Sequence, residues 1–141
     1  MKTFTTKTTI DAPVEHIWAL LIDAAGYPSW NTTVDRVEGR IAPGEKVKVF
    51  AKLSPGRAFA VKVTELVDMQ RMVWSGGMPL GLFKGERTFT LSPSGRGVEF
   101  AMQEVLSGLL SPLIERSLPD GMQASFEEFA ADLKKRAEQA R

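Results

Sequence analysis

The stretch IDAPVEHIWALLIDAAGYPSWN, residues 10 to 31, changes its apolar period partway through, and that change decides the fold class. Upstream, TFTTKTTI (3 to 10) is rich in threonine with Phe4 and Ile10 near its ends, which suits a strand because branched side chains pack well on a pleated surface. From Pro13, which suits a first helical turn, Val14, Ile17, Trp18 and Leu21 follow at i, i+3, i+4 and i+7 and draw one apolar stripe on a helix over roughly residues 13 to 23. Glu15 complements the positive end of that helix, and Gly26 and Pro28 stop it. YPSWN (27 to 31) then places Tyr27 and Trp30 around a proline in what local chemistry makes a turn. Trp30 is expected both to close the end of the core and to wall an internal cavity, with Asn31 as a polar group beside it.

Downstream the period is two. EKVKVFAKL (45 to 53), AFAVKVTELV (58 to 67), QRMVWSG (70 to 76), KGERTFTL (84 to 91) and GVEFAMQEV (97 to 105) read as strands, separated by turns such as SPGR (54 to 57) and SPSGRG (92 to 97). With the strands beginning from about residue 33, six are expected after the first helix, and their short connections favour an antiparallel meander. Leu109, Leu110, Leu113 and Ile114 begin a helical pattern, Pro119 and Gly121 interrupt it, and Met122, Phe126, Phe129 and Leu133 resume it before the cationic tail LKKRAEQAR. This order predicts an α+β fold: a curved seven-stranded antiparallel sheet wrapped around a long C-terminal helix, with a short helical segment after strand 1. A wide sheet must twist, and one helix about 10 Å across leaves part of the concave face uncovered.

The 141 residues suit one domain, 1–141, with 43% apolar and 25% charged side chains, as in an ordinary globular protein. Eighteen basic against seventeen acidic residues give a formal charge of +1, so no bulk field favours nucleic acid or an anionic bilayer. Cysteine is absent and there is a single histidine, which excludes thiol catalysis and multi-histidine metal cages. His16 points away from the apolar stripe, toward solvent. No signal-like or membrane-spanning apolar run occurs, so the expected setting is the cytoplasm, with no integral membrane association. No cofactor, metal or nucleic-acid partner is expected, and the chain is read as a monomer or a homodimer.

IDAPVEHIWALLIDAAGYPSWN, together with GLFKGERTFTLSP (81 to 93) and EVLSGLL (104 to 110), resembles the SRPBCC or START-like superfamily with its helix-grip fold, within it the polyketide cyclase/dehydrase-like subgroup. The resemblance covers nearly the whole chain. It implies a sheet gripping the C-terminal helix around an apolar cavity that, in many relatives, holds a lipid, sterol, hormone or polyketide. Two positions depart from the pattern: Arg87 stands where many relatives of the subgroup have histidine, and Thr32 follows the WN pair where proline is frequent.

With Leu91 placed opposite Val98, the hairpin sets Phe89 against Phe100, Arg87 against Met102 and Gly85 against Glu104, all on the inward face. Arg87 and Glu104 then meet diagonally. They form either an internal salt bridge or a polar anchor in which Glu104 holds the guanidinium while it receives a carboxylate, hydroxyl or carbonyl. Trp30, Asn31, Phe59, Met72, Trp74, Phe83, Phe89, Phe100, Met102, Met122 and Phe126 are the expected lining, and MPLGLF (78 to 83) is a loop or lid. The leading function is binding of a small hydrophobic molecule without catalysis. The alternatives are a cyclase or dehydratase in which Arg87 polarises a carbonyl and Glu104 shuttles a proton, and a protein-interaction module.

Overall fold

The computed structural model describes residues 1–139; Ala140 and Arg141, the end of the cationic tail, lie outside the described residues. Strand β1 (Lys2–Ile10) leads into α1 (Val14–Ile22) and a short 3-10 helix (Ala24–Ser29). Strands β2 (Val34–Glu38), β3 (Lys46–Ala51), β4 (Ala58–Val67), β5 (Arg71–Met78), β6 (Phe83–Ser94) and β7 (Gly97–Ser107) follow, then α2 (Ser111–Arg116) and α3 (Met122–Gln139). The seven strands form one curled antiparallel sheet in the order β1-β7-β6-β5-β4-β3-β2, so the meander is closed by β1 pairing with the last strand. The α+β, helix-grip arrangement expected from the changing period is the one observed.

Local chemistry explains most boundaries. Pro13 is extended (φ −63°, ψ 143°) and caps α1 instead of sitting in its first turn, and Ile17, Trp18 and Leu21 bury the predicted stripe. His16 is half-buried, so the expected solvent-facing position is corrected. Among the described residues, the interrupted C-terminal pattern resolves into two helices, with Gly121 at φ +92° immediately before α3.

The segment read as a turn is the 3-10 helix, which buries Ala24 and Tyr27 and leaves Ala25, Pro28 and Ser29 exposed. Asp23 caps it by accepting from the Gly26 amide, and Tyr27 is fully buried with its hydroxyl donating to the Leu21 carbonyl at 2.7 Å. Burial pushes the Tyr27 phenol far above its ordinary value of 10.0, partly offset by the positive charge of Arg87. An acid whose folded pKa is raised contributes stability that is complete below the unfolded value, near pH 10, and is lost as pH rises beyond it. Tyr27 is the chain's one tyrosine, so an alkaline titration reports it alone. Phenolate absorbance should emerge only together with unfolding, seen by tryptophan fluorescence; phenolate forming near pH 10 in a folded chain would contradict this packing.

The β6–β7 hairpin corrects the expected register. The strands run to Ser94 and Gly97, leaving a two-residue turn at Gly95 (φ +57°) and Arg96. Pro93 therefore faces Val98, Leu91 faces Phe100, Phe89 faces Met102, and Arg87 faces Glu104 directly. A shift of two residues preserves the face of every side chain, so the inward set stands while the diagonal becomes a direct pair.

Candidate functional site

One row crosses the inner face. Phe4 on β1 lies opposite Glu104, Glu104 opposite Arg87, and Arg87 opposite Trp74 on β5. Arg87 Nε donates to Glu104 Oε1 at 2.9 Å, with the two side chains 21% and 18% exposed, so water reaches the pair without surrounding it. The guanidinium carbon stands 4.7 Å from the centre of the Phe126 ring, supplied by the first turns of α3. Among the described residues the Arg87 Nη groups have no protein acceptor and are open to water, whereas the buried Trp74 indole N–H has no partner at all. The row thus presents two kinds of free donor from an apolar wall.

Behind this row the interior is filled. Phe129, one turn beyond Phe126, stacks on Phe100 with centroids 6.1 Å apart and meets Trp30 edge-on at 5.6 Å. Its ring also lies 6.1 Å from Phe89 and 6.3 Å from Tyr27, and Trp74 packs on Phe89 at 4.8 Å. Met72, Phe89, Phe100 and Met102 are buried in this cluster, so the hollow expected there is occupied by the protein's own rings. Trp30 is buried with its indole N–H unpaired. Asn31 is buried too: Oδ1 accepts from the Thr33 amide and hydroxyl, while Nδ2 finds no partner among the described residues.

On the other side of the row the wall is bare. Gly85 lies between Gly76 and Leu106, and a Cβ added to Gly85 would make only ordinary contacts, at 3.5 Å to Leu106 and 3.9 Å to Phe83. Glycine here is not forced by backbone crowding: an alanine side chain would sit in ordinary contact with Leu106, Phe83 and the Gly76 carbonyl. Phe83, Leu118 and Met122 are half-buried against the core, and Phe59 is 38% exposed with Arg57 over its ring. The expected lining therefore divides into partly exposed apolar groups (Phe59, Phe83, Met122), a polar row (Trp74, Arg87, Glu104, with Phe126) and packed core (Met72, Phe89, Phe100, Met102, Trp30, Asn31). Sequence reasoning left Phe129 and Tyr27 out of the lining. Phe129 was visible in the helical pattern, but which ring of α3 enters the centre depends on how the helix is rotated against the sheet.

A groove of about 1050 Å³ lies elsewhere, on the outer face of β1, β7 and β6, lined by polar groups including Thr5, Thr88, Thr90 and Gln103. Its lining continues onto Glu127, Ala130, Ala131 and Lys134 of α3 and mixes the polar groups with Ala101, Met102 and Val105. Thr32, the departure after the WN pair, has a structural part: its amide donates to Asp132 Oδ2 at 2.8 Å, and its hydroxyl lies 2.6 Å from Glu128 Oε1. A proline there has no N–H to offer α3.

A family model described as "Polyketide cyclase / dehydrase and lipid transport" matches residues 1–138. The chain belongs to that family. Among solved structures this polyketide cyclase/dehydrase family chain is similar to protein MLL2253 from Mesorhizobium loti (TM-score 0.77, 18% identity, 99% of each chain covered). It is also similar to a START superfamily protein from Mycobacterium smegmatis (TM-score 0.71, 18% identity, 99% of each chain). A third is DynU16, from the dynemicin biosynthetic locus, with a TM-score of 0.73 and 15% identity over 100% of this chain and 49% of that one. Likenesses at this identity establish the fold. No curated protein matches the sequence. The family supports a hydrophobic ligand-binding fold, and among the described residues no helix is long and apolar enough to cross a membrane.

Proposed function

We propose that the chain binds a small hydrophobic molecule beside the Arg87–Glu104 row, between Gly85 and the start of α3, with an oxygen acceptor of that molecule at the Nη edge of Arg87. The observation that carries this reading is the guanidinium itself. It is fixed by Glu104 through Nε and by the Phe126 ring, yet its outer donors have no protein acceptor among the described residues. Donors held rigidly in an apolar wall yet open to water can exchange that water for an acceptor carried by a guest. Glu104 keeps the guanidinium oriented, and the partly exposed apolar groups receive the rest of the guest.

The test is titration with a neutral fluorescent apolar probe, followed by displacement with a carbonyl-bearing and a purely hydrocarbon compound of equal size. Saturable uptake is expected. Arg87→Met should weaken the carbonyl compound by about tenfold, the scale of one charge-assisted hydrogen bond, and leave the hydrocarbon unchanged. No saturable uptake, or equal loss for both compounds, would count against the reading.

A further inference from the structure

Isolated exposed leucines are ordinary on a protein surface, whereas a cluster on adjoining turns marks a contact site. Leu80 is 92% exposed, Leu109 80%, Leu113 64% and Met78 47%. They come from the β5–β6 turn, the β7–α2 turn and α2, which the chain ties together. The Leu109 amide donates to the Gly81 carbonyl at 3.1 Å, and the Leu110 amide to the Leu82 carbonyl at 2.7 Å. Gly108, at φ +107°, permits this approach, since a Cβ there would stand 2.8 Å from the Leu82 carbonyl oxygen. Leu80 itself sits at φ +61°, a left-handed conformation uncommon for a branched side chain, with its side chain directed into solvent.

Charge at this end differs from the chain as a whole, whose formal charge is +1. Lys2 lies opposite Leu106 and Lys84 opposite Ser107, beside the paired turns, and Arg116 ends α2. Arg57 stands over the exposed Phe59 ring, 5.4 Å from its centre. Lys84 is compensated by Glu86 at 3.1 Å, and Glu115, which accepts from the Ser111 hydroxyl, faces the N-terminal ammonium at 3.6 Å; Lys2, Arg57 and Arg116 against Asp120 leave this end cationic. By contrast, Glu127, Glu128 and Asp132 lie on α3, where Glu128 and Asp132 bind Thr32.

We propose that this end of the molecule is a docking surface for an anionic lipid bilayer, with Leu80, Leu109 and Leu113 entering the interface and the surrounding cations meeting the headgroups. Leucines carried on turn tips and one short helix make a convex wedge, the shape that enters a deformable apolar layer, and a rim of cations complements anionic lipid. The contact is peripheral. It does not depend on which molecule, if any, the interior holds.

The full chain is floated with vesicles of phosphatidylcholine and with vesicles that also contain phosphatidylglycerol. Wild-type protein should rise with the mixed vesicles, less with the neutral ones, and less again as salt is raised. Leu80→Ser/Leu109→Ser should lower partitioning by about 100-fold, roughly tenfold for each leucine withdrawn, with an unchanged melting curve because both side chains are exposed. Absence of wild-type protein from the floated fraction with either vesicle would overturn the proposal, as would equal partitioning of the double variant. So would light scattering that finds a wild-type dimer dissolved by the same two changes, which would assign the surface to a second copy of the chain.

Discussion

Phe129→Ala should destabilise the chain by about 3 to 5 kcal/mol, the cost of deleting a buried phenylalanine and leaving its cavity behind. The size of the effect follows from where the ring sits. Phe129 is 2% exposed and touches Tyr27, Trp30, Phe89 and Phe100, so helix, 3-10 segment and two central strands all lose their common partner at once. Net stabilities of about 5 to 15 kcal/mol make this a large fraction of the total. Urea unfolding followed by tryptophan fluorescence measures it, with the midpoint falling and the slope retained. Phe129→Leu fills most of the volume and should cost far less, which keeps the test open if the alanine variant fails to accumulate. The vacated space is apolar and should take up benzene, restoring part of the lost stability. A cost below about 1 kcal/mol would mean that the centre is not packed on this ring.

That same ring marks where sequence reading stops. The fold was legible because its signals are local: the change from period two to 3.6 at Pro13, the return to alternation in EKVKVF, and the glycines and prolines between strands. The inward set Arg87, Phe89, Phe100, Met102 and Glu104 was legible for the same reason, since alternation fixes a face. It does not fix register. Two registers two residues apart share every inward residue, and only the two-residue turn at Gly95 and Arg96 selects the direct pairing. Tyr27 was read as part of a turn because proline and glycine flank it; its burial comes from Trp30, Trp74 and Phe129, the last more than a hundred positions away. The unpaired indole of Trp74 left no trace in the sequence, because an orphaned donor is defined by what does not come near it.

Breaking the Arg87–Glu104 pair should have the second largest effect, and a double-mutant cycle separates its structural part from its binding part. Arg87→Met leaves the Glu104 carboxylate four-fifths buried without its partner, and Glu104→Leu leaves the guanidinium likewise. In a dry interior either loss costs roughly 3 to 5 kcal/mol; with water reaching both side chains, about 2 kcal/mol is expected for each. Arg87→Met/Glu104→Leu replaces the pair by apolar groups of similar length and removes both stranded charges together. Its cost should therefore fall below the sum of the singles by about 1 to 2 kcal/mol. Urea unfolding of the four proteins gives this coupling, and a value near zero would deny the pair any cooperative role. Binding should follow the other logic. If the Nη edge anchors the guest, the double variant recovers stability but not affinity for a carbonyl compound, because Glu104 only orients the group that makes the contact. Glu104→Gln offers an oxygen to Arg87 Nε without the charge, so it should retain most of that affinity while losing part of the stability. Affinity that instead tracks stability across all four proteins would show the arginine to be a strut of the sheet and no part of a binding site.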